Sequence, residues 1–145
     1  MLVGKNTRPL TVARPTAERR ERQSVRAREL GDRTVLLAVT GDIDAATASG
    51  LFDDLEMQVQ GYRQVVLDLS GVEFFGAAGY SLLHRLHVHC TRASIDWVVV
   101  TGIEAQRLLR VCDPDGIFPT AANIVSAVAA LARGPHRTSQ LGLPS

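Results

Sequence analysis

Residues 65–79, with the sequence VVLDLSGVEFFGAAG, decide the fold of this chain of 145 residues. The first five are apolar apart from Asp68, the pattern of a strand whose two surfaces are both covered. Phe74 and Phe75 come next, and we expect both to pack in the core at the end of the strand. Gly76-Ala77-Ala78-Gly79 follows, and its glycines permit a sharp turn. The segment therefore predicts a buried strand that turns directly into a helix.

Further strands and helices are predicted to alternate on both sides of this segment. Predicted strands cover about 25–30, 35–39, 65–69 and 96–100, with a short last strand beginning at Ile117-Phe118. Predicted helices begin after Asp44, at about Ala77, at Glu104 and after Asn123; the second ends at about Arg92 and the third at Val111. Gly31-Asp32 is expected to form a hairpin turn, and Gly41-Asp42-Ile43-Asp44 to break the second strand. Strand–helix alternation predicts one α/β domain. Its sheet has four to five mostly parallel strands, with an antiparallel edge strand and about four helices.

Apolar residues recur at helical spacing in each predicted helix, so each should bury one stripe against the sheet. The stripes are Ala48, Leu51, Phe52, Leu55 and Val59; Leu82, Leu83, Leu86 and Cys90; Leu108, Leu109 and Val111; and Ile124, Val125, Val128 and Leu131. Asp44 and Asn123 are placed to accept hydrogen bonds from free amides at the starts of the first and last helices.

Charge divides the chain. Residues 1–33 hold nine Lys/Arg and four Asp/Glu, whereas the rest holds seven and eleven. We predict a disordered basic arm at 1–22, a folded domain at 23–133 and a flexible tail at 134–145. Acidic residues interrupt the arginines of the arm and no aromatic residues interleave with them, which argues against nucleic-acid binding.

No apolar run is long enough for a signal peptide or a membrane span, so a cytoplasmic protein without membrane contact is expected. In that compartment Cys90 and Cys112 are expected to be small buried hydrophobic residues, although a redox disulfide between them stays open.

Three segments together resemble the STAS domain family of anti-sigma factor antagonists. Residues 40–48, TGDIDAATA, are similar to the Gly-Glu-Leu-Asp…Thr-Ala segment of that family, and residues 66–72, VLDLSGV, to its second-strand signature. Leu108-Leu109 and Ile117-Phe118 fit its third helix and last strand. The resemblance covers roughly residues 23–133 and implies a STAS-like single domain.

The resemblance also implies a binding site and a change in it. Phosphorylated members carry an Asp-Ser-Ser-Gly turn whose second hydroxyl residue accepts phosphate from a serine kinase that is also the anti-sigma factor. The turn maps to Gly76, Ala77, Ala78 and Gly79, so no phosphorylation is expected at Ala78. The loop Asp of the family maps to Asp44 and is retained. The implied partner-binding residues are Asp42, Asp44, Gly76, Ala77, Ala78, Gly79 and Ser81.

The favoured interpretation is therefore a non-enzymatic regulator that binds an anti-sigma factor of the serine kinase type and releases a sigma factor, thereby controlling transcription. A scaffold subunit of a signalling assembly and a small-molecule or nucleotide-binding domain are the alternatives, and a homo-oligomer is compatible with each. Ser81 remains open as a substitute phosphoacceptor. His84, His87 and His89 lack a complementary carboxylate nearby in sequence, so neither a metal nor a cofactor is expected.

Overall fold

The computed structural model describes residues 23–134, so the predicted arm and nearly all of the predicted tail lie outside the described residues. The strands are β1 (Gln23–Gly31), β2 (Thr34–Ile43), β3 (Gln64–Phe75), β4 (Asp96–Val100) and β5 (Thr120–Ala121). The helices are α1 (Ala48–Gln58), α2 (Ala77–Arg92), α3 (Gly102–Cys112) and α4 (Ile124–Ala132). The strands form one sheet in the order β1-β2-β3-β4-β5, antiparallel between β1 and β2 and parallel elsewhere. This confirms the predicted fold class.

Alternate residues of each strand point to opposite sides of the sheet, so each strand presents side chains on both sides. Helices cover both of these sides. On one side α1, α2 and α3 bury the main core, which we define by its fully buried large side chains: Val35, Leu37, Val39, Ile43, Leu51, Leu55, Leu67, Leu69, Leu82, Leu83 and Leu86. On the other side α4 alone covers the minor core, which consists of Leu36, Val66, Val98, Val100, Ala127, Ala130 and Leu131. The central strands are therefore apolar on both surfaces, as predicted.

β2 and β3 both extend further than predicted. β2 continues through Gly41 and Asp42 to Ile43, and the prediction that residues 41–44 break the strand was wrong. The pairing with β3 shifts register between Gly41 and Asp42, where Gly41 has a φ of 96° that only glycine adopts readily. β3 runs to Phe75 instead of ending at Leu69. The residue left unpaired at this shift is Glu73 of β3, and the paired strands carry the chain directly to the start of α2.

Two of the predicted apolar stripes are partly wrong. Val111 of α3 and Val125 of α4 are 78% and 80% exposed, and Val128 is also exposed. α4 instead packs on the sheet through Ala127, Ala130 and Leu131. Two of the three residues that face the sheet are alanines, and the two valines of α4 are exposed.

The last strand is also displaced from its predicted position. Ile117 is exposed and precedes the strand, whereas Phe118 is buried in the main core, and β5 begins only at Thr120. Asp113 organises this connection: its two carboxylate oxygens accept hydrogen bonds from the amides of Ile117 (2.9 Å) and Phe118 (3.1 Å). These bonds hold an irregular loop where a strand was expected.

Both ends of the connection through α3 depend on specific local geometry. α3 begins at Gly102, two residues before the predicted Glu104, with a φ of 72°. A Cβ on Gly102 would lie 2.7 Å from the Cα of Ser70, so only glycine allows α3 to approach β3 this closely. The predicted cap of α4 is confirmed: the Asn123 side chain accepts a hydrogen bond from the Ser126 amide at 2.8 Å.

Candidate functional site

The two segments expected to bind a partner meet where β2 and β3 end. In the register of the parallel pair, Asp42 lies opposite Phe74 and Ile43 opposite Phe75. The amide of Gly76 then donates to the carbonyl of Ile43 at 3.1 Å. The structure thus brings the loop at 42–44 beside the turn at 76–79, and Ser81 is exposed one turn into α2. We call the seven residues Asp42, Asp44, Gly76, Ala77, Ala78, Gly79 and Ser81 the contact face.

Asp44 holds its own loop in shape. One carboxylate oxygen accepts hydrogen bonds from the amides of Ala46 (2.9 Å) and Thr47 (3.1 Å), and the Thr47 hydroxyl donates to the carbonyl of Asp42 at 3.0 Å. α1 itself begins at Ala48, with Thr47 at its N-cap position. The carboxylate of Asp44 therefore stabilises the turn at residues 44–47 that leads into α1. It had been predicted to bond to amides of the first turn of α1 itself, which begins only at Ala48.

The start of α2 is made of small residues for a packing reason. Gly76 occupies the N-cap position in an extended conformation and supplies no side-chain cap. Ala77 is exposed and Ala78 half-buried, whereas Gly79 is buried. A Cβ on Gly79 would lie 2.6 Å from two ring atoms of Phe75. Gly79 is thus required by the core, while Ala77 and Ala78 are accessible to a partner.

The two phenylalanines at the end of β3 have different environments. Phe75 is 5% exposed and packs in the main core, as predicted. Phe74 is 49% exposed, so the expectation that it packs in the core was wrong. Adjacent strand residues point to opposite sides, and the two register shifts between β2 and β3 together leave Phe75 on the same side as Val65, Leu67 and Leu69. The expectation for Phe74 failed because it placed two adjacent strand residues in the same core.

The surroundings of the contact face are acidic. Residues 34–62 and 64–84 contain no Lys or Arg, and their carboxylates are those of Asp42, Asp44, Asp53, Asp54, Glu56, Asp68 and Glu73. Asp68 is half-buried and accepts a hydrogen bond from the Ser70 amide at 2.9 Å, a contact within β3. Glu73 is exposed beside Phe74. Among the described residues, Asp42, Asp44 and Glu73 place negative charge at or beside the contact face.

The histidines of α2 take up separate contacts. Nδ1 of His87 accepts a hydrogen bond from the indole N–H of Trp97 at 3.3 Å, and its ring also contacts Phe118. Burial, helped by the charge of His84, lowers the pKa of His87, and Asp113 opposes this shift. Nδ1 of His89 lies 3.5 Å from a carboxylate oxygen of Glu56.

Within residues 23–134, no three His, Cys, Asp or Glu side chains are grouped closely enough to hold a metal ion. Cys90 is buried, Cys112 is half-buried, and both are free thiols. No helix in the described part of the chain has both the length and the apolar character needed to cross a bilayer.

The STAS domain profile matches residues 25–127, and the chain therefore belongs to the STAS domain family. Osmosensory protein A of Mycobacterium tuberculosis is 32% identical over 113 residues, which cover 75% of this chain and 72% of that protein.

Solved anti-sigma factor antagonists have a similar fold. One from Mycobacterium paratuberculosis has a TM-score of 0.62 at 23% identity, covering 76% of this chain and 94% of that one. The antagonist SpoIIAA in its unphosphorylated form has a TM-score of 0.57 at 11% identity, covering 77% of this chain and 99% of that one. The expected family and fold are thereby confirmed.

Proposed function

We propose that the chain is a cytoplasmic regulator that binds an anti-sigma factor through the contact face and thereby releases a sigma factor for transcription. It acts by binding, without a catalytic step of its own. Its partner is a serine kinase type of anti-sigma factor, the kind that the family resemblance implies. The name of its osmosensory relative supports a role in responding to external stress.

The observation that carries this proposal is the pairing of the two segments of the contact face. The hydrogen bond from the Gly76 amide to the Ile43 carbonyl, at 3.1 Å, ties the turn at 76–79 to the loop that Asp44 shapes. Both segments remain accessible, since Ala77 and Ser81 are exposed and Asp42 and Asp44 are half-buried. A rigid, preformed surface of this kind can bind without the entropic cost of ordering a loop.

The contact face binds without a phosphorylation switch at the turn. None of Gly76, Ala77, Ala78 and Gly79 carries a hydroxyl group, and a methyl group cannot accept a phosphoryl group. The domain then corresponds to a permanently unphosphorylated antagonist, and its activity is set by its abundance or by another signal. Ser81 is the nearest exposed hydroxyl on α2 and is the residue to examine if phosphate is transferred.

The test is Ala78→Glu, measured against each anti-sigma factor of the source organism, purified and immobilised in turn. The longer side chain of glutamate at this half-buried position would hold the partner away from the turn, and its carboxylate would have to be desolvated in the complex. Binding should therefore be lost. Circular dichroism and thermal stability should stay close to wild type, because the first turn of a helix tolerates negative charge.

Two results would contradict the proposal. Wild-type affinity of Ala78→Glu for every anti-sigma factor would place the binding surface elsewhere. Stoichiometric phosphate on Ser81, found by mass spectrometry after incubation with these kinases and ATP, would show that the switch has moved by one helical turn.

A further inference from the structure

Phe74 is a large apolar side chain in solvent beside the contact face. It lies opposite Asp42 in the register of β2 and β3 and two residues before Gly76. Its Cε2 and Cζ atoms are 3.0 and 3.2 Å from the point where a Cβ on Gly76 would stand. The ring thus lies over the turn. A side chain at position 76 would contact the ring too closely unless the ring moved.

The family resemblance assigns an Asp to position 76, so the exchange of Asp for Gly changes what this turn presents. A carboxylate is removed, and an aromatic ring that is 49% exposed lies over the same backbone. Single exposed apolar residues are common on protein surfaces. An aromatic residue next to a binding surface differs, because aromatic side chains bury a large area and lose little conformational entropy on binding.

The charges around the ring define what it can contact. Glu73 is exposed next to Phe74 and Asp42 is half-buried opposite it. Among the described residues, Arg63 precedes β3 at its other end, and Arg85 lies half-way along α2 with its guanidinium 4.0 Å from the ring centre of Phe52. A basic surface would be attracted to this end of the sheet and an acidic surface repelled.

We propose that Phe74 is the apolar anchor of the contact face, and that the surface it fits is a protein surface with an apolar pocket bordered by Lys or Arg. This inference rests on the proposed function and adds to it the chemistry of the partner. Phe74 determines specificity, because a partner built to bind an acidic turn would have no pocket for the ring.

The experiment compares Phe74→Ala with Val111→Ala by titration against each purified anti-sigma factor of the source organism. Val111 is a matched control, an exposed apolar residue at the far end of α3. Phe74→Ala should weaken binding at least tenfold and Val111→Ala less than twofold. Phe74→Ala should also lower the thermal midpoint by no more than about 5 °C, since about half of the residue's surface is already in water.

A second pair of variants tests the charge. Glu73→Lys should weaken binding at low salt and lose much of that effect in 0.5 M salt. Asp115→Lys, in the exposed turn before β5, should change binding less than twofold at either salt concentration.

The outcomes separate the two proposals. If the wild-type protein binds none of the anti-sigma factors, the proposed function is wrong and this inference falls with it. If it binds one and Phe74→Ala binds equally well, or Glu73→Lys binds more tightly, the inference alone is overturned. A large loss of stability in Phe74→Ala would also overturn it, because the ring would then be a structural element of the turn.

Discussion

The two sides of the sheet are built differently. Three helices bury the main core on one side, with large aliphatic residues such as Leu83 and Leu86 fully enclosed. On the other side α4 alone covers the minor core, through Ala127, Ala130 and Leu131. The outer surface of α4 is apolar as well, with Val125 80% exposed.

The two sides of the sheet should differ in how much stability a truncated side chain costs. A side chain enclosed by three helices has no room to relax when it is truncated, whereas α4 has solvent behind it and can settle toward the sheet. The start of α2, which carries most of the contact face, belongs to the well-packed side. The contact face is therefore held by the part of the molecule that deforms least.

Leu83→Ala should have the largest effect on stability. Leu83 is fully buried between α2 and the sheet, so the substitution leaves a cavity that its neighbours cannot fill. We expect the free energy of unfolding to fall by about 3–5 kcal/mol, measured by urea denaturation with circular dichroism. A loss below about 1 kcal/mol would mean that the main core repacks freely, contrary to the comparison.

Leu131→Ala makes the same chemical change in the minor core. Leu131 is equally buried, but it lies in a small cluster under a single helix. The expected loss is about 2 kcal/mol, at the lower end of the range for such substitutions. Equal losses for Leu83→Ala and Leu131→Ala in the same titration would remove the proposed difference between the two sides.

The smallest expected effect is the pH dependence of the free energy of unfolding, which arises from His87 on the main-core side of the sheet. Burial lowers the pKa of His87, whose Nδ1 must stay unprotonated to accept the indole hydrogen of Trp97. Below about pH 6.5 the unfolded chain binds this proton more readily than the folded chain, so stability should decline as the pH falls from 6.5 through the lowered folded-state pKa.

Two variants isolate this contribution. His87→Gln should lose less stability between pH 7 and pH 5 than wild type. Urea titrations at several pH values compare the two proteins. Because the minor core contains no titratable side chain, Leu131→Ala should shift the whole curve without changing its slope.

Most of the fold could be predicted where the spacing of apolar residues and the positions of turn residues agree. The bounds of α2 and β4 were predicted as the structure has them, because long apolar patterns ended there at clear turn residues. Val111 and Val125 were misassigned because helical spacing identifies a stripe without showing whether another element covers it. That depends on tertiary packing, which no local pattern records.

The candidate site was predictable in part. The residues of the loop and the turn came from motif resemblance, and parallel pairing of β2 with β3 makes them neighbours. The exposure of Phe74 follows from alternation along β3, whereas the two register shifts that turn Val72 into the main core have no signal in the sequence. One residue of slippage moves a side chain from the core to the solvent.

The hydrogen bonds of Asp44 bear on how related sequences should be compared. Its carboxylate fastens the turn before α1 through the amides of Ala46 and Thr47, and that turn is needed whether or not a kinase ever binds. Selection for folding alone would therefore preserve this acid after a phosphorylation switch had decayed. Among distant members, an aspartate here is a poor marker of an active switch. If position 78 is the site of the switch, as the resemblance implies, the residue found there is the more informative character.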